Sequence, residues 1–320
     1  MKRILVTGSS GWLGGHLVPM LRERGYSPFG LDVVPSMWTD AVASVADRKA
    51  IETLFSDHDF DAVVHAGALH KPDIARFPQQ SFVDVNVTGT LNLLEAASAR
   101  PGMPFVFTST TSLMISQAIR SELSSKAAWL DEASGPLEPR NIYGVTKLAA
   151  EGLCRQSHLE KGMPVVVLRT ARFFPEEDDT HAELSGPNMK ANELLYRRAT
   201  VEDMARAHIA AIEAAPRIGF GLYLVSAPTP FTREDVRALK SDARSVILGR
   251  FPEAEALYAQ KGWQLPAAVG RVYDGSLIER ELGFVYHTRF EDVLDALRSG
   301  EAQPIAHDPS YTSPIPRSQF

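Results

Sequence analysis

A tyrosine and a lysine separated by three residues form the pair in this sequence whose spacing best suits chemistry. In Tyr143-Gly-Val-Thr-Lys147 the two side chains lie one helical turn apart, on one face of a helix predicted over 143–159. Tyrosine is a poor base because its pKa is about 10, but a nearby lysine ammonium stabilises the phenolate and lowers that pKa. The tyrosine could then take a proton from an alcohol while hydride leaves the same carbon. The spacing is common by chance, so its meaning depends on the elements that position it.

Three glycines near the start of the chain indicate what lies beside that pair. The apolar run 3–6 leads into Gly8, Gly11 and Gly14, and residues 13–21 are typical of a helix with one apolar face. A strand, a tight turn and a helix N-terminus in this order accept a dinucleotide pyrophosphate, although the more usual spacing is G-x-G-x-x-G. Asp32 ends the second predicted strand, where a carboxylate binds both ribose hydroxyls and repels a 2′-phosphate. We therefore predict NAD rather than NADP as the cofactor.

Strands and helices alternate through the first half of the chain. Short apolar runs at 26–31, 62–66, 104–108 and 164–170 are separated by predicted helices. This alternation predicts an α/β fold, a Rossmann-type doubly wound parallel sheet with helices on both faces. Residues 115–140 are predicted to form a loop over the carboxyl edge of the sheet. The expected domains are an NAD-binding domain over 1–172, a smaller substrate-binding region mainly over 173–303, with some segments returning to the first domain, and a Pro-containing tail over 304–320.

Composition excludes several other classes of protein. The net charge is -6 and no basic cluster occurs, which argues against a nucleic-acid partner. No apolar run approaches the ~20 residues that span a bilayer, so we expect no membrane partner. Cys154 is the single cysteine, which excludes an internal disulfide framework and a multi-cysteine metal site, and we expect no metal. The first residues are typical of a core strand rather than a signal peptide, so a cytoplasmic location is expected.

These features together resemble the extended class of the short-chain dehydrogenase/reductase superfamily, which contains NAD-dependent sugar epimerases, dehydratases and dehydrogenases. Three further segments match its motifs over roughly residues 1–300: Val63-Val-His-Ala-Gly-Ala68, Asn86-Val-Thr-Gly-Thr90 and Val201-Glu-Asp203. The resemblance implies a homodimer formed through helices that include the Tyr-x-x-x-Lys helix.

The resemblance also implies roles for individual residues. Tyr143 is then the general acid/base, Lys147 is its partner, and Thr110 binds the reacting hydroxyl, with Ser109 as the alternative. The implied cofactor-binding residues are Gly8, Ser10, Gly11, Trp12, Leu13, Gly14, Asp32, Asp47, Ala66, Gly67, Ala68, Asn86, Thr108, Tyr143 and Lys147.

Departures from the family pattern narrow the range of substrates and reactions that we expect. Dehydratases of this family carry an acidic residue just after the hydroxyl position, where this chain has Thr111 and Ser112, so dehydration is not expected. The segment 169–176 is similar to one in uronate dehydrogenases. Its Arg172 could bind a carboxylate or phosphate, or form a salt bridge to the acidic run 176–179. The expected substrate-binding residues are Thr110, Thr111, His70 and Arg172.

The predicted function is therefore NAD-dependent oxidation of a secondary hydroxyl on a sugar, sugar acid or nucleotide sugar. A dehydrogenase would release the oxidised product. An epimerase, such as a nucleotide-sugar 4-epimerase, would return hydride to the opposite face and keep NAD bound. The sequence leaves both open because the first half-reaction uses the same residues. A protein that binds NAD as a sensor or interaction module, without catalysis, is the alternative from a different class.

Overall fold

A computed structural model describes residues 1–177 and 184–315, so the end of the acidic run 176–179 lies outside the described residues. The strands within those ranges are β1 (Arg3–Thr7), β2 (Ser27–Asp32), β3 (Ala41–Val42), β4 (Ala62–His65), β5 (Phe105–Thr110), β6 (Ala128–Leu130), β7 (Val165–Thr170), β8 (Phe220–Val225) and β9 (Arg271–Tyr273). The helices are α1 (Trp12–Glu23), α2 (Arg48–Asp57), α3 (Gln79–Phe82), α4 (Gly89–Ser98), α5 (Gln117–Arg120), α6 (Ile142–Lys161), α7 (Gly186–Leu194), α8 (Val201–Ile218), α9 (Val236–Arg250), α10 (Ala254–Lys261), α11 (Ser276–Leu282) and α12 (Phe290–Ser299).

Seven strands form one parallel sheet in the order β3-β2-β1-β4-β5-β7-β8. Successive strand residues point to opposite faces, so Ile4 and Val6 pack on one side of the sheet and Leu5 packs on the other. Helices α1 and α8 cover the first face, and α2, α4 and α6 cover the second. Both faces are buried, which is why the strands are continuous apolar runs. The predicted doubly wound sheet is confirmed.

The strand order reverses between β1 and β4, and this reversal places the functional region. From β1 the chain builds outward through β2 to β3, and from β4 it builds the other way through β5, β7 and β8. A crevice therefore opens at the carboxyl ends of β1 and β4, the position where ligands bind in open α/β sheets.

The structure differs from the sequence-based expectations in two segments. The predicted loop over 115–140 contains α5 and strand β6, which pairs in parallel with β9 through Ala128 and Arg271 to form a second sheet. A three-residue strand is too short to show a period, and its partner is distant in the chain. The helix predicted from Phe82 is interrupted, since a π-helical segment, Val83–Thr88, separates α3 from α4.

Two elements of the predicted 173–303 region complete the main sheet. Strand β8 pairs with β7 along Val165–Thr170, and α8 packs against α1. In the described part of the chain, no helix is both long and apolar enough to cross a membrane.

The glycine turn brings three backbone segments into close contact. Gly8 has a φ of +75°, and a Cβ there would lie 2.7 Å from the backbone nitrogen of Gly67, just after β4. A Cβ on Gly14, inside α1, would lie 2.2 Å from the Gly8 carbonyl oxygen and 2.6 Å from Cα of Ser9. Only glycine at these positions lets α1 begin directly at the carboxyl end of β1.

A Gly14→Ala substitution should lower the free energy of unfolding by about 1–3 kcal/mol or more, because the new methyl group meets backbone that cannot move aside. Gly249→Ala is the matched control, since Gly249 also lies inside a helix, α9, but has nothing within 4 Å of its Cβ position. The control should gain up to about 1 kcal/mol from helix propensity. Chemical denaturation of both variants measures the difference, and equal effects would contradict the steric explanation.

Candidate active site

A pocket with an empty volume of about 1030 Å³ lies at the strand-order reversal. It brings together most of the residues selected from the sequence. Those that line it are Gly8, Gly11, Trp12, Leu13, Asp32, Ala66, Gly67, Ala68, His70, Thr108, Tyr143 and Lys147. The phosphate-binding turn and the Tyr143–Lys147 pair therefore lie in one cavity.

One end of the pocket suits an anion beside a ribose. Helix α1 begins after Gly11 with no side-chain cap and no acidic residue in its first turn, so its backbone N–H groups are available to a negative charge. The Asp32 carboxylate accepts hydrogen bonds from the backbone nitrogens of Ser10 and Val34, both at 3.0 Å. Burial raises the pKa of Asp32 against these bonds. The donors and the carboxylate fit the pyrophosphate and adenosine ribose of NAD.

The other end holds the tyrosine and the lysine. Asn141 caps helix α6 by accepting a hydrogen bond from Gly144 N at 3.0 Å, which starts the helix just before Tyr143. Thr110, at the end of β5, lies next to the Tyr143 hydroxyl, and its own hydroxyl is hydrogen-bonded to Ser112. Lys147, fully inside the protein, donates from Nζ to the Thr108 carbonyl oxygen at 2.7 Å. Helix α6 thus presses both side chains onto the carboxyl end of β5.

The pKa values of the pair are displaced in opposite directions by burial. Burial raises the pKa of Tyr143 to about 12; the neighbouring Thr110 hydroxyl opposes this rise, and the carboxylate of Asp73 adds to it. Burial lowers the pKa of Lys147 to about 7, although Glu151 acts to raise it. The ammonium is therefore easily deprotonated, and the tyrosine needs nearby positive charge before it can act as a base at neutral pH.

A buried ion pair lies directly beneath this region. Glu151, one helical turn beyond Lys147, binds Arg169 of β7 through two hydrogen bonds of 3.0 and 2.8 Å. It also accepts a 2.6 Å hydrogen bond from Ser109 Oγ. Of the two hydroxyls considered for the reacting group, Thr110 is the one next to Tyr143, whereas Ser109 lines the pocket with its hydroxyl donated to Glu151.

A charged group that the sequence analysis missed holds His70 in the pocket. The buried carboxylate of Asp73 accepts hydrogen bonds from the backbone nitrogen of His70 at 3.0 Å and from Nη1 of Arg76 at 3.0 Å, and its Oδ2 lies 2.9 Å from His70 Nδ1. Burial alone would raise the pKa of Asp73, but His70 and Arg76 together lower it. The His70 ring stacks on Phe174 with centroids 5.1 Å apart. A carboxylate three residues after a histidine is an ordinary helix-start pattern, so the sequence carried no distinctive signal.

Four residues expected to touch the cofactor do not line the pocket. They pack against or hydrogen-bond to the segments around it. Ser10 Oγ donates to the Val34 carbonyl, and Gly14 packs on the Gly8 turn. Asp47 caps α2 by accepting from Ala50 N at 3.0 Å. Asn86, in the π-helical segment, bonds the backbone of Leu69 on both its N–H and carbonyl sides at 2.9 Å, and so fixes the loop after β4.

Three residues expected to touch the substrate do not line the pocket. Arg172 donates from Nη1 to Glu193, a buried residue of α7, at 2.7 Å. The salt bridge to the acidic run 176–179 that was the alternative for Arg172 falls partly outside the described residues. Arg197 and Arg198 reach the Glu193 carboxylate at 2.6 and 2.9 Å, which lowers the pKa of Glu193 despite its burial. Thr111 is buried at the start of a 3₁₀ turn and, like Thr110, does not line the pocket.

Several pocket residues gave no signal in the sequence. Residues 43–45 follow the two-residue strand β3, which is too short to recognise by its pattern. Phe173 and Phe174 stack on each other with centroids 4.4 Å apart after β7. The tail contributes Tyr311, Ser313, Pro314 and Ile315. A Pro-containing tail shows no periodicity, so where it packs could not be inferred.

Comparison with curated proteins finds relatives over part of their length. The chain is 34% identical over 169 residues to a GDP-6-deoxy-D-mannose reductase of Pseudomonas aeruginosa, covering 52% of this chain and 51% of the relative. It is 31% identical over 173 residues to UDP-glucose 4-epimerase 2 of Oryza sativa subsp. japonica, covering 48% of this chain and 40% of the relative. The chain thus spans about half, or less, of the length of these relatives.

Solved structures resemble the fold over nearly the whole chain. A short-chain dehydrogenase/reductase superfamily protein of Agrobacterium tumefaciens, crystallised with bound NAD, matches with a TM-score of 0.64 and 23% identity over 93% of this chain and 96% of that protein. The UDP-glucuronic acid 4-epimerase of Bacillus cereus matches with a TM-score of 0.62 and 20% identity over 93% and 98%. At such low identity these likenesses establish the fold alone.

The match to a family model shows how the chain is related to known proteins. The model of the NAD dependent epimerase/dehydratase family matches residues 4–219, which is more than half of the chain. That range contains the glycine turn, Asp32, Tyr143 and Lys147, and it confirms both the resemblance to extended short-chain dehydrogenases/reductases and the expectation of NAD. The chain belongs to the NAD dependent epimerase/dehydratase family.

Proposed function

We propose that this protein oxidises a secondary hydroxyl of a sugar or sugar acid with NAD, with Tyr143 as the base. The observation that carries the proposal is that Tyr143 and Lys147, one helical turn apart, line the same pocket as the glycine turn, with Thr110 next to the tyrosine. An alcohol that enters this pocket can place its oxygen against the Tyr143 hydroxyl. The tyrosine is then in hydrogen-bond reach of the proton it must take.

Different side chains have different roles in removing the proton from the substrate hydroxyl. Thr110 orients the substrate hydroxyl, and Tyr143 accepts its proton. Lys147 lies one turn further along the same helix, and its ammonium form is the positive charge that would stabilise the phenolate. NAD, when bound, supplies the hydride acceptor and a positively charged ring. Because Lys147 is buried, solvent screens its charge less than it would at the surface.

The residues at the substrate end of the pocket suit a compact sugar or sugar acid better than other alcohols. The stacked rings of His70 and Phe174 offer a flat surface for the apolar face of a sugar ring. Asp73 holds His70 in place, so that its remaining ring nitrogen could bond a sugar hydroxyl. The similarity of 169–176 to uronate dehydrogenases favours a free uronic acid, and the relatives named above favour a nucleotide sugar.

A substrate panel with NAD tests the proposal. Uronic acids, aldoses, UDP-sugars and GDP-sugars are each mixed with the protein, and NADH absorbance and product stereochemistry are followed. NADH formed in proportion to substrate consumed identifies a dehydrogenase. An epimer formed without a net absorbance change identifies an epimerase.

Tyr143→Phe should lower turnover of the active substrate about 10²- to 10⁴-fold, the usual contribution of a positioned acid/base, while NAD binding persists. Tyr26→Phe is the matched control, because the Tyr26 hydroxyl bonds Glu213 and does not line the pocket. Full turnover by Tyr143→Phe would refute the catalytic assignment. NAD binding without turnover of any substrate would favour the sensor alternative.

We also propose that the protein forms a homodimer through α6. Val145, Gly152 and Leu159 repeat every seven residues along its outer side, and Val145 and Leu159 are 48% and 69% exposed. Such an apolar stripe on a helix is typical of a subunit contact. Val145→Glu should shift the species seen by light scattering from dimer to monomer, whereas a monomeric unsubstituted protein would refute the proposal.

The cytoplasm remains the proposed location. Cys154 is a buried free thiol, and burial raises its pKa, so it is poorly reactive. A fold with no structural use for a disulfide is suited to a reducing compartment.

Asp32→Asn should lower the preference for NAD over NADP at least about tenfold, because it removes the charge that repels a 2′-phosphate and one strong acceptor for the ribose. Asp40→Asn is the control, since Asp40 accepts a hydrogen bond from Gly30 N at 2.8 Å nearby but does not line the pocket. Titration of both variants with each dinucleotide measures the ratio of dissociation constants. An unchanged ratio for Asp32→Asn would show that the discrimination lies elsewhere.

A further inference from the structure

The C-terminal tail crosses the NAD pocket. After α12 the chain returns to the main sheet, and Tyr311, Ser313, Pro314 and Ile315 join the pocket lining. These residues face the same cavity as the glycine turn and Tyr143. The tail is outside the family match over 4–219.

The tail is anchored on both sides of the pocket. At its start, Asp308 N donates to the Pro175 carbonyl at 2.9 Å, and buried Lys190 bonds His307 Nδ1 at 3.0 Å and the Pro175 carbonyl. At its far end, Arg76 donates from Nη2 to the Ile315 carbonyl. The segment 309–314 therefore spans the groove between two fixed points.

Between the anchors, Tyr311 sits on the first turn of α1. Its ring packs edge-on against Trp12, with centroids 5.4 Å apart. Its hydroxyl lies beside the backbone N–H of Trp12, in the part of the pocket that Gly11 and Leu13 also line.

Tyr311 lies against the part of α1 that the cofactor needs. The N-terminus of α1 has no side-chain cap, so its first N–H groups are the ones a pyrophosphate would bond. The Trp12 N–H is one of them, and a tyrosine side chain packed against this turn leaves less room for a phosphate group. Tyr311 thus lies where the pyrophosphate is expected.

We propose that residues 309–315 act as a displaceable strap, in which Tyr311 competes with the pyrophosphate of NAD for the N-terminus of α1. The bound tail keeps the pocket closed, and NAD enters when the strap leaves. The apparent dissociation constant then exceeds the intrinsic one by the inverse of the fraction of molecules whose strap is open. The proposal concerns cofactor access, so it holds whichever sugar is the substrate.

Isothermal titration with NAD tests the strap on two variants. A chain ending at Pro309 keeps the anchors at His307 and Asp308 but lacks the strap, and it should bind NAD at least about threefold more tightly. Tyr311→Phe removes only the hydroxyl beside the Trp12 N–H, and it should tighten binding roughly three- to tenfold, the effect expected when one polar group no longer competes for that donor. Tyr26→Phe, which removes a hydroxyl outside the pocket, should leave the dissociation constant unchanged.

Binding of NAD fragments shows which part of the cofactor competes with Tyr311. ADP-ribose, like NAD, should bind more tightly to Tyr311→Phe than to the unsubstituted protein. Adenosine, which has no phosphate, should bind equally to both. A synthetic peptide of residues 306–315 should weaken NAD binding to the truncated chain in a competitive manner. Melting temperatures confirm that both variants are folded.

Opposite or absent changes would overturn the proposal. Weaker NAD binding by the truncated chain would make the tail a lid that holds the cofactor. Unchanged NAD binding by both variants would make the strap a passive surface segment. An equal gain for adenosine and ADP-ribose in Tyr311→Phe would show that the hydroxyl does not compete with phosphate.

Discussion

One steric constraint controls the site: three backbone segments meet with no room for a side chain between them. Gly8 lies against Gly67, and α1 packs through Gly14 onto the Gly8 carbonyl. The helix can therefore begin at the very edge of the sheet, with its N–H groups facing the crevice. The parallel register of β1 and β2 then sets where Asp32 lies relative to that point, and the bond of Lys147 to Thr108 holds the Tyr143 helix at the end of β5. A single methyl group at the junction would displace all of these parts together.

Buried charges in this molecule serve two different purposes. Glu151 with Arg169, and Glu193 with its three arginines, are paired carboxylates that tie helices to strands around the pocket. A buried charge without such a partner is costly, so each pair is fixed in place. Lys147 instead donates to a neutral carbonyl, and burial leaves its proton loosely held. The paired charges give rigidity, and the one held by a carbonyl is free to respond to its neighbour Tyr143.

The parts of the fold that the sequence could predict are those with local causes. β1 and β4 are short apolar runs because both of their sides are buried, and the glycine turn and the Tyr143–Lys147 spacing are contiguous patterns. Other features depend on contacts between distant segments. The pairing of β6 with β9 joins parts of the chain more than a hundred residues apart, and the ion pair of Arg172 with Glu193 involves helix α7, which the sequence analysis did not predict. No local property of the tail indicated that Tyr311 would reach α1.

The position of the tail in the chain has a consequence for biosynthesis. All seven strands of the main sheet are complete by residue 225, whereas the segment that crosses the pocket ends at residue 315. At about 5–20 residues per second, a ribosome needs roughly 5–18 s to make the residues in between. During that interval the nascent chain has the glycine turn and Asp32 but no strap. The dinucleotide thus meets an open groove while the protein is still being made, and it can stabilise the sheet before the strap exists.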